Sequence, residues 1–145
     1  MRSAAARRDR RQGGVEGKRR DDLDIGPGLW EVGLVWACWN GTAWTIQPTP
    51  NPAGGQYGGL GAVACPSASA CVAVGYYRNE AGRTVTLAER WNGTRWAIQP
   101  APRPADAEDT YLYGVACPSI AECIAVGDYT STAGLRVTLV ERYRE

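Results

Sequence analysis

The chain has no histidine, no phenylalanine, one methionine and a formal net charge of only +1 over 145 residues. Each shortage closes off a class of function. Lack of histidine removes the commonest general base and metal ligand, so the expectation is a chain that is not an enzyme and holds no metal or cofactor. Lack of a concentrated positive field removes what draws phosphates, which argues against nucleic acid or a membrane surface as partner. Long apolar runs are scarce as well. Residues 25–39 are apolar but include Pro27 and Glu31, and they fall short of the ~18 residues that a membrane span needs. No signal peptide is visible, because no apolar stretch of ~7 to 15 residues follows the basic start.

Six Trp and seven Tyr supply the bulk that Phe does not, and they recur in register. Trp39-Asn40-Gly41-Thr42-Ala43-Trp44 returns as Trp91-Asn92-Gly93-Thr94-Arg95-Trp96, and Cys65-Pro66-Ser67 with Cys71 returns as Cys117-Pro118-Ser119 with Cys123. Setting residues 39–93 against 91–145 without a gap gives 29 identities in 55 pairs. A period of about 50 residues points to a modular array such as a propeller or solenoid. Residues 1–24 stand apart, with eight Arg or Lys against five acids and almost nothing apolar. They read as a disordered basic tail, because they cannot bury enough surface to offset their ordering entropy.

Within the repeat the pattern is short β runs broken by turn residues. Residues 60–65 and 71–77 make one hairpin; residues 83–91 and 94–100 make a second at Asn92-Gly93, a strong hairpin signal. Pairing across that turn puts Val85, Leu87, Trp91, Trp96 and Ile98 on one face, with Thr84, Thr86 and Arg90 on the other. Tryptophans on such a face read as core, with sugar-stacking platforms as the alternative. Four antiparallel strands in about 50 residues, then a long connection, is the make-up of a propeller blade. The expected fold is thus all-β, a partial β-propeller of about two four-stranded blades in residues 25–145: a partial blade at 33–50, a full blade at 60–100 and an incomplete one at 112–143. The last lacks a fourth strand that residues 39–48 resemble. Donation of that strand to the next chain would give a head-to-tail homo-oligomer.

Each repeat holds a Cys-x5-Cys pair, a spacing that a hairpin turn brings within disulfide reach. Cys65 is expected to bond Cys71, and Cys117 to bond Cys123. A four-cysteine zinc site, or reduced structural cysteines, are the alternatives. Cys38 has no counterpart, Arg90 and Arg142 taking its place. Disulfides imply an oxidising compartment, hence an extracellular or cell-envelope location. Both Asn-Gly-Thr turns also match the glycosylation acceptor pattern, although the turn alone explains the Asn and Gly.

The combined motif Cys-Pro-Ser-x3-Cys-x-Ala-Val-Gly followed by Thr-Leu-x-Glu-Arg-Trp-Asn-Gly-Thr-x-Trp resembles tandem repeats of uncharacterised, mostly exported actinobacterial proteins, over roughly residues 33–145. The resemblance implies propeller-like arrays and no reaction. The Ser-x-Asp-x-Gly box of sialidase-like propellers and the double Gly of kelch blades are both missing.

Ser67 and Ser119 lie in turns without a base. Glu89 and Glu141 are equivalent and read as members of a scaffold ion pair, which leaves Asp106, Glu108, Asp109 and Asp128 as the carboxylates for a glycosidase alternative. Binding is the better class. In a propeller the connections at 49–59, 78–82, 101–111 and 130–134 emerge on one side, and 53–59 and 105–111 differ almost completely between copies. Loops on a rigid scaffold are where recognition resides. Tyr57, Tyr76, Arg78, Asp106, Asp109, Tyr111 and Asp128 are the candidate binding residues. Three readings stay open: an interaction scaffold for a protein, a glycan-binding propeller formed by oligomerisation, and a functionless fragment of a longer array.

Overall fold

The computed structural model describes residues 35–39, as backbone, and 42–144; the expected tail at 1–24, the start of the partial blade and the Cys38 side chain lie outside the described residues. The described chain is all-β with three antiparallel sheets in sequence. β1 (Val35–Trp39) pairs β2 (Trp44–Pro48). A four-stranded meander follows, β3 (Tyr57–Ser67), β4 (Ala70–Arg78), β5 (Thr84–Trp91) and β6 (Trp96–Gln99), and then a three-stranded one, β7 (Ala107–Ser119), β8 (Glu122–Ser131) and β9 (Arg136–Arg144). Neighbouring strands are always consecutive in the chain, the order that tight hairpin turns impose.

Local chemistry explains the turns. Gly93 takes φ 92°, and the Asn92 side-chain oxygen accepts N–H groups of Thr94 and Arg95 at 2.9 Å each, so the Asn-Gly pair closes the β5–β6 hairpin. At the disulfide end the strands run further than the Cys-x5-Cys spacing suggests. Ser67 pairs Ala70, leaving a turn of Ala68 and Ser69, while a register shift between Ala64 and Ser67 absorbs the extra residues. The two expected disulfides form, Cys65–Cys71 and Cys117–Cys123, with Cα atoms 4.0 and 4.1 Å apart. The Gly of each Cys-x-Ala-Val-Gly motif also has a steric cause. A Cβ at Gly75 would run into the Gly59 carbonyl oxygen, and one at Gly127 into that of Tyr111, beside the bulges at 60–62 and 112–114.

Two expected strand starts need correction. β3 and β7 begin at Tyr57 and Ala107, earlier than the expected Leu60 and Leu112, because β4 and β8 are long enough to pair those residues, Tyr57 with Arg78 and Ala107 with Ser131. The Thr84–Thr86–Arg90 side of β5 is buried as well as the side of Leu87 and Trp91. Val72, Val74 and Ala88 on that side pack against Leu112, Val115, Ala125 and Leu139 of the last sheet. On the opposite face Cys71, Ala73 and Trp96 form a second core with Leu60, Val63 and Trp91. The middle sheet is therefore buried on both sides, and a strand buried twice holds apolar residues at consecutive positions. Ile98 lies on the expected face but remains exposed.

Candidate functional site

The seam between the middle and last sheets is fastened at one end by side chains of β7. β6 pairs only Ala88–Trp91 of β5, and the N–H groups of Thr84 and Thr86 lie beyond its reach. The Asp109 carboxylate accepts the Thr84 N–H at 2.6 Å, and the fully buried Thr110 hydroxyl accepts that of Thr86 at 2.9 Å. Buried backbone donors need partners, so both acceptors hold the seam.

Beside this latch three tyrosines meet. The rings of Tyr76 and Tyr111 lie edge to face at 5.1 Å, and Tyr111 and Tyr113 stack at 6.1 Å with 12° between their planes. Tyr113 owes its position to the bulge: Leu112 pairs Gly127 and Gly114 pairs Val126, so Tyr113 has no partner in the ladder. Its hydroxyl meets Asp128 at 3.5 Å and Arg136 at 3.3 Å, and Arg136 binds the other Asp128 oxygen at 2.6 Å. That hydrogen bond and the Asp128 charge hold the Arg136 guanidinium above its ordinary pKa, while burial and Asp128 push the Tyr113 phenol up. Tyr76 and Tyr113 are both exposed. The result is a row of aromatic faces ending in a charge pair, carried on three strands of one sheet and one of its neighbour.

Four of the seven candidate binding residues thus come together: Tyr76, Asp109, Tyr111 and Asp128. Asp109 serves the seam, so it is a structural member. The other three do not join. Tyr57 lies in a separate shallow depression with Pro52 and Tyr77; Arg78 donates to the Gly82 carbonyl at 3.0 Å and ties its own turn; Asp106 sits in the turn before β7, its carbonyl accepting the Thr132 N–H at 2.8 Å. Of the seven, only Asp106 lies outside a strand: Tyr76 and Asp128 lie in strands as expected, while Tyr57, Arg78, Asp109 and Tyr111 move from expected connections into strands, because β3 and β7 start early and β4 reaches Arg78. Tyr113 and Arg136 were missed. The signal was present in the repeat: Tyr111, Tyr113, Asp128 and Arg136 stand where the first copy carries Gly59, Gly61, Tyr76 and Thr84.

The repeated carboxylates behave otherwise. Glu89 is fully buried, and neither carboxylate oxygen has a partner at hydrogen-bond geometry. Burial pushes its pKa up to about 7, opposed in part by the nearby Thr49 hydroxyl. The expected scaffold ion pair does not form at Glu89; the next residue, Arg90, faces the opposite side of the strand. Glu141 is likewise raised to about 7 by burial, with Oε1 unpartnered. It lines a cavity of about 80 Å³ within the seam, between Val72, Ala88 and Leu112 and under Pro100, Ala101 and Pro102. Arg90 borders the same cavity and donates to the Tyr143 hydroxyl at 2.8 Å.

Among the described residues no three or more His, Cys, Asp or Glu gather as a metal site, and no helix is long and apolar enough to cross a membrane. Comparison with family models, with curated proteins and with solved structures finds no match to this chain.

Proposed function

We propose that the protein is a non-catalytic binding module of an exported protein, built from propeller-type blades, with the Tyr76–Tyr111–Tyr113 row and the Asp128–Arg136 pair as its contact surface. The observation that carries this reading is the coincidence of two patterns. The scaffold residues are those that repeat, and the clustered aromatic and charged residues, of which Tyr76, Tyr113 and Arg136 are exposed, are those that do not. Strands hold these side chains more rigidly than loops would, which lowers the entropy lost on binding. Support for an extracellular or cell-envelope location comes from the two disulfides, and from the likeness of the repeat motif to exported arrays. The non-catalytic part rests on the carboxylates: Glu89 is enclosed, Glu141 is half-buried in the seam, and Asp128 is engaged by Arg136.

The chemistry at the row favours a glycan as ligand. Sugar rings stack on exposed aromatic faces, and a neighbouring Asp–Arg pair offers acceptors and donors for hydroxyls. Of the repeated tryptophans Trp96 is buried in the core and drops out as a platform, whereas its equivalent Trp44 is exposed. A protein segment is the second reading, since Tyr and Arg also dominate protein hot spots. Saturation-transfer NMR with a panel of neutral and acidic oligosaccharides tests the glycan reading. Wild-type protein is expected to transfer magnetisation to at least one sugar, and Tyr113→Ala with Arg136→Ala to abolish it. Transfer that survives the double substitution overturns the assignment of the site; no transfer to any oligosaccharide overturns the glycan.

A further inference from the structure

The two repeats present the same sheet face in two situations. In the middle sheet Val72, Val74 and Ala88 are covered by the last sheet, and Val74 is 1% exposed. Their equivalents in the last sheet, Ile124, Val126 and Val140, have nothing on them among the described residues, and Val126 and Val140 are 48% and 67% exposed. The leading end of the chain shows the complementary situation. Trp96 in the middle sheet faces the preceding segment, donates to Gln47 at 3.2 Å and is 6% exposed; its equivalent Trp44 is 69% exposed, and Ile46 beside it 48%. Because Gln47 points toward Trp96, alternation along β2 turns Trp44 and Ile46 to the opposite side. One end of the molecule thus exposes the kind of face that the seam covers, and the other end exposes the kind of face that covers it.

We infer that a second copy of this chain docks head to tail, the Trp44–Ile46 face of one copy lying on the Ile124–Val126–Val140 face of the other. The internal seams are the precedent at the level of sheet faces: β7–β9 cover Val72, Val74 and Ala88 through Leu112, Val115, Ala125 and Leu139, and β6, the counterpart of β2, turns Trp96 toward the strand pair before it. Contiguous apolar surface of this kind marks an interaction site. A self-complementary pair of different faces is a heterologous interface, which extends into rings or filaments and does not stop at a symmetric dimer. β2 is already paired with β1, so strand donation to β9 would require that hairpin to open, whereas docking of faces leaves every hairpin intact. Asp128 and Arg136 share the sheet face of Val126 and Val140, by alternation along β8 and β9, so docking covers the charge pair of the proposed contact surface; association is measured without sugar and with Asp128 and Arg136 intact, so its outcome reads docking alone.

Sedimentation of the full chain, prepared with its disulfides intact, tests this from low to high micromolar concentration. Weight-average mass is expected to rise with concentration to at least twice that of one chain. Two sets of substitutions at exposed positions each disable one end, Val126→Asp with Val140→Lys at the trailing face and Trp44→Glu with Ile46→Lys at the leading face. Each variant alone should remain a monomer with an unchanged circular dichroism spectrum. Mixed in equal amounts, they should form a dimer and nothing larger, because each contributes the face that the other lacks. A wild-type monomer throughout, association that either variant retains, or a mixture that stays monomeric would overturn the inference. If either set unfolds the chain, milder Val140→Thr and Ile46→Thr variants take its place, with weakened association expected and undiminished association counting against it.

Discussion

Glu89 and Glu141 occupy the same place in the repeat, yet they meet different neighbours. Glu89 has the Thr49 hydroxyl close by, whereas Glu141 shares its cavity with Ala101, the residue that replaces Thr49 one repeat later in an otherwise matching Pro-x-Pro. Both carboxyls are pushed up to about 7, so enclosure between sheets, not the identity of a single neighbour, sets the level. The difference lies in what holds each seam. The first is fastened by Gln47 to Trp96 and by Thr49 near Glu89; the second by Asp109 and Thr110 at its far end, with an unfilled cavity at the other. Sequence identity between repeats therefore preserves the sheets, while the seams diverge.

The hardest way to break the first seam is to remove its tryptophan. Trp96→Ala deletes a buried ring and the hydrogen bond to Gln47, and is expected to cost about 3 to 5 kcal/mol. Urea unfolding checks it; an unchanged midpoint would mean that the ring contributes nothing to the core.

Acidity tests the pair of carboxyls together. The folded pKa of Glu89, about 7, lies above the ordinary 4.5. Between those values the folded state keeps a proton that the unfolded state has released, so stability falls as pH rises from about 4.5 to about 7 and levels off above. The loss from Glu89 is on the order of 3 kcal/mol, with Glu141 adding a fall of the same sign. Glu89→Gln should remove its share of the slope. Unfolding midpoints measured from pH 4.5 to 8 decide, and a wild-type chain that gains stability across this window would contradict the enclosure of both groups.

Much of this was legible in the residues. The 52-residue offset gave the order of strands, Asn92-Gly93 gave a turn, and the cysteine pairs gave two disulfides, because each depends on chemistry within one hairpin. The tyrosine row was legible only in part. Tyr76 comes from one sheet and Tyr111 from the next, and their meeting depends on how sheets dock, which no local pattern encodes. Glu89 was misread for the same reason, since an ion pair looks adequate until both faces of the strand prove to be buried.

Disulfides offer a comparison in which the repeats should agree. Both links close loops with a sequence separation of 6, so loss of either pair to alanine should cost a similar amount, about 2 kcal/mol by loop closure. Mass spectrometry under non-reducing conditions should find the 65–71 and 117–123 links in protein from an oxidising compartment, and free thiols at all four positions would contradict them. Unequal losses on substitution would show that the context of the hairpin, not chain closure, sets the contribution.

The smallest expected effect is the sharpest comparison, because it makes the second seam resemble the first. Ala101→Thr restores the Pro-Thr-Pro of residues 48–50 to residues 100–102. Ala101 and Glu141 line one cavity, and Glu141 Oε1 has no hydrogen-bond partner, so a hydroxyl there meets a buried acceptor with room to receive it. A hydrogen bond made to a group already desolvated recovers part of its burial penalty, and the expected gain is about 1 kcal/mol. The same contact should lower the Glu141 pKa, as Thr49 lowers that of Glu89, and shift the lower-stability limb of the pH profile upward. The control is Ala101→Val, which fills the cavity without a hydroxyl. If valine stabilises as much as threonine at pH 8 and leaves the profile equally altered, the gain comes from packing and the correspondence between Thr49 and Ala101 is only one of position. A gain confined to threonine assigns it to the hydroxyl and makes the two seams variants of one contact.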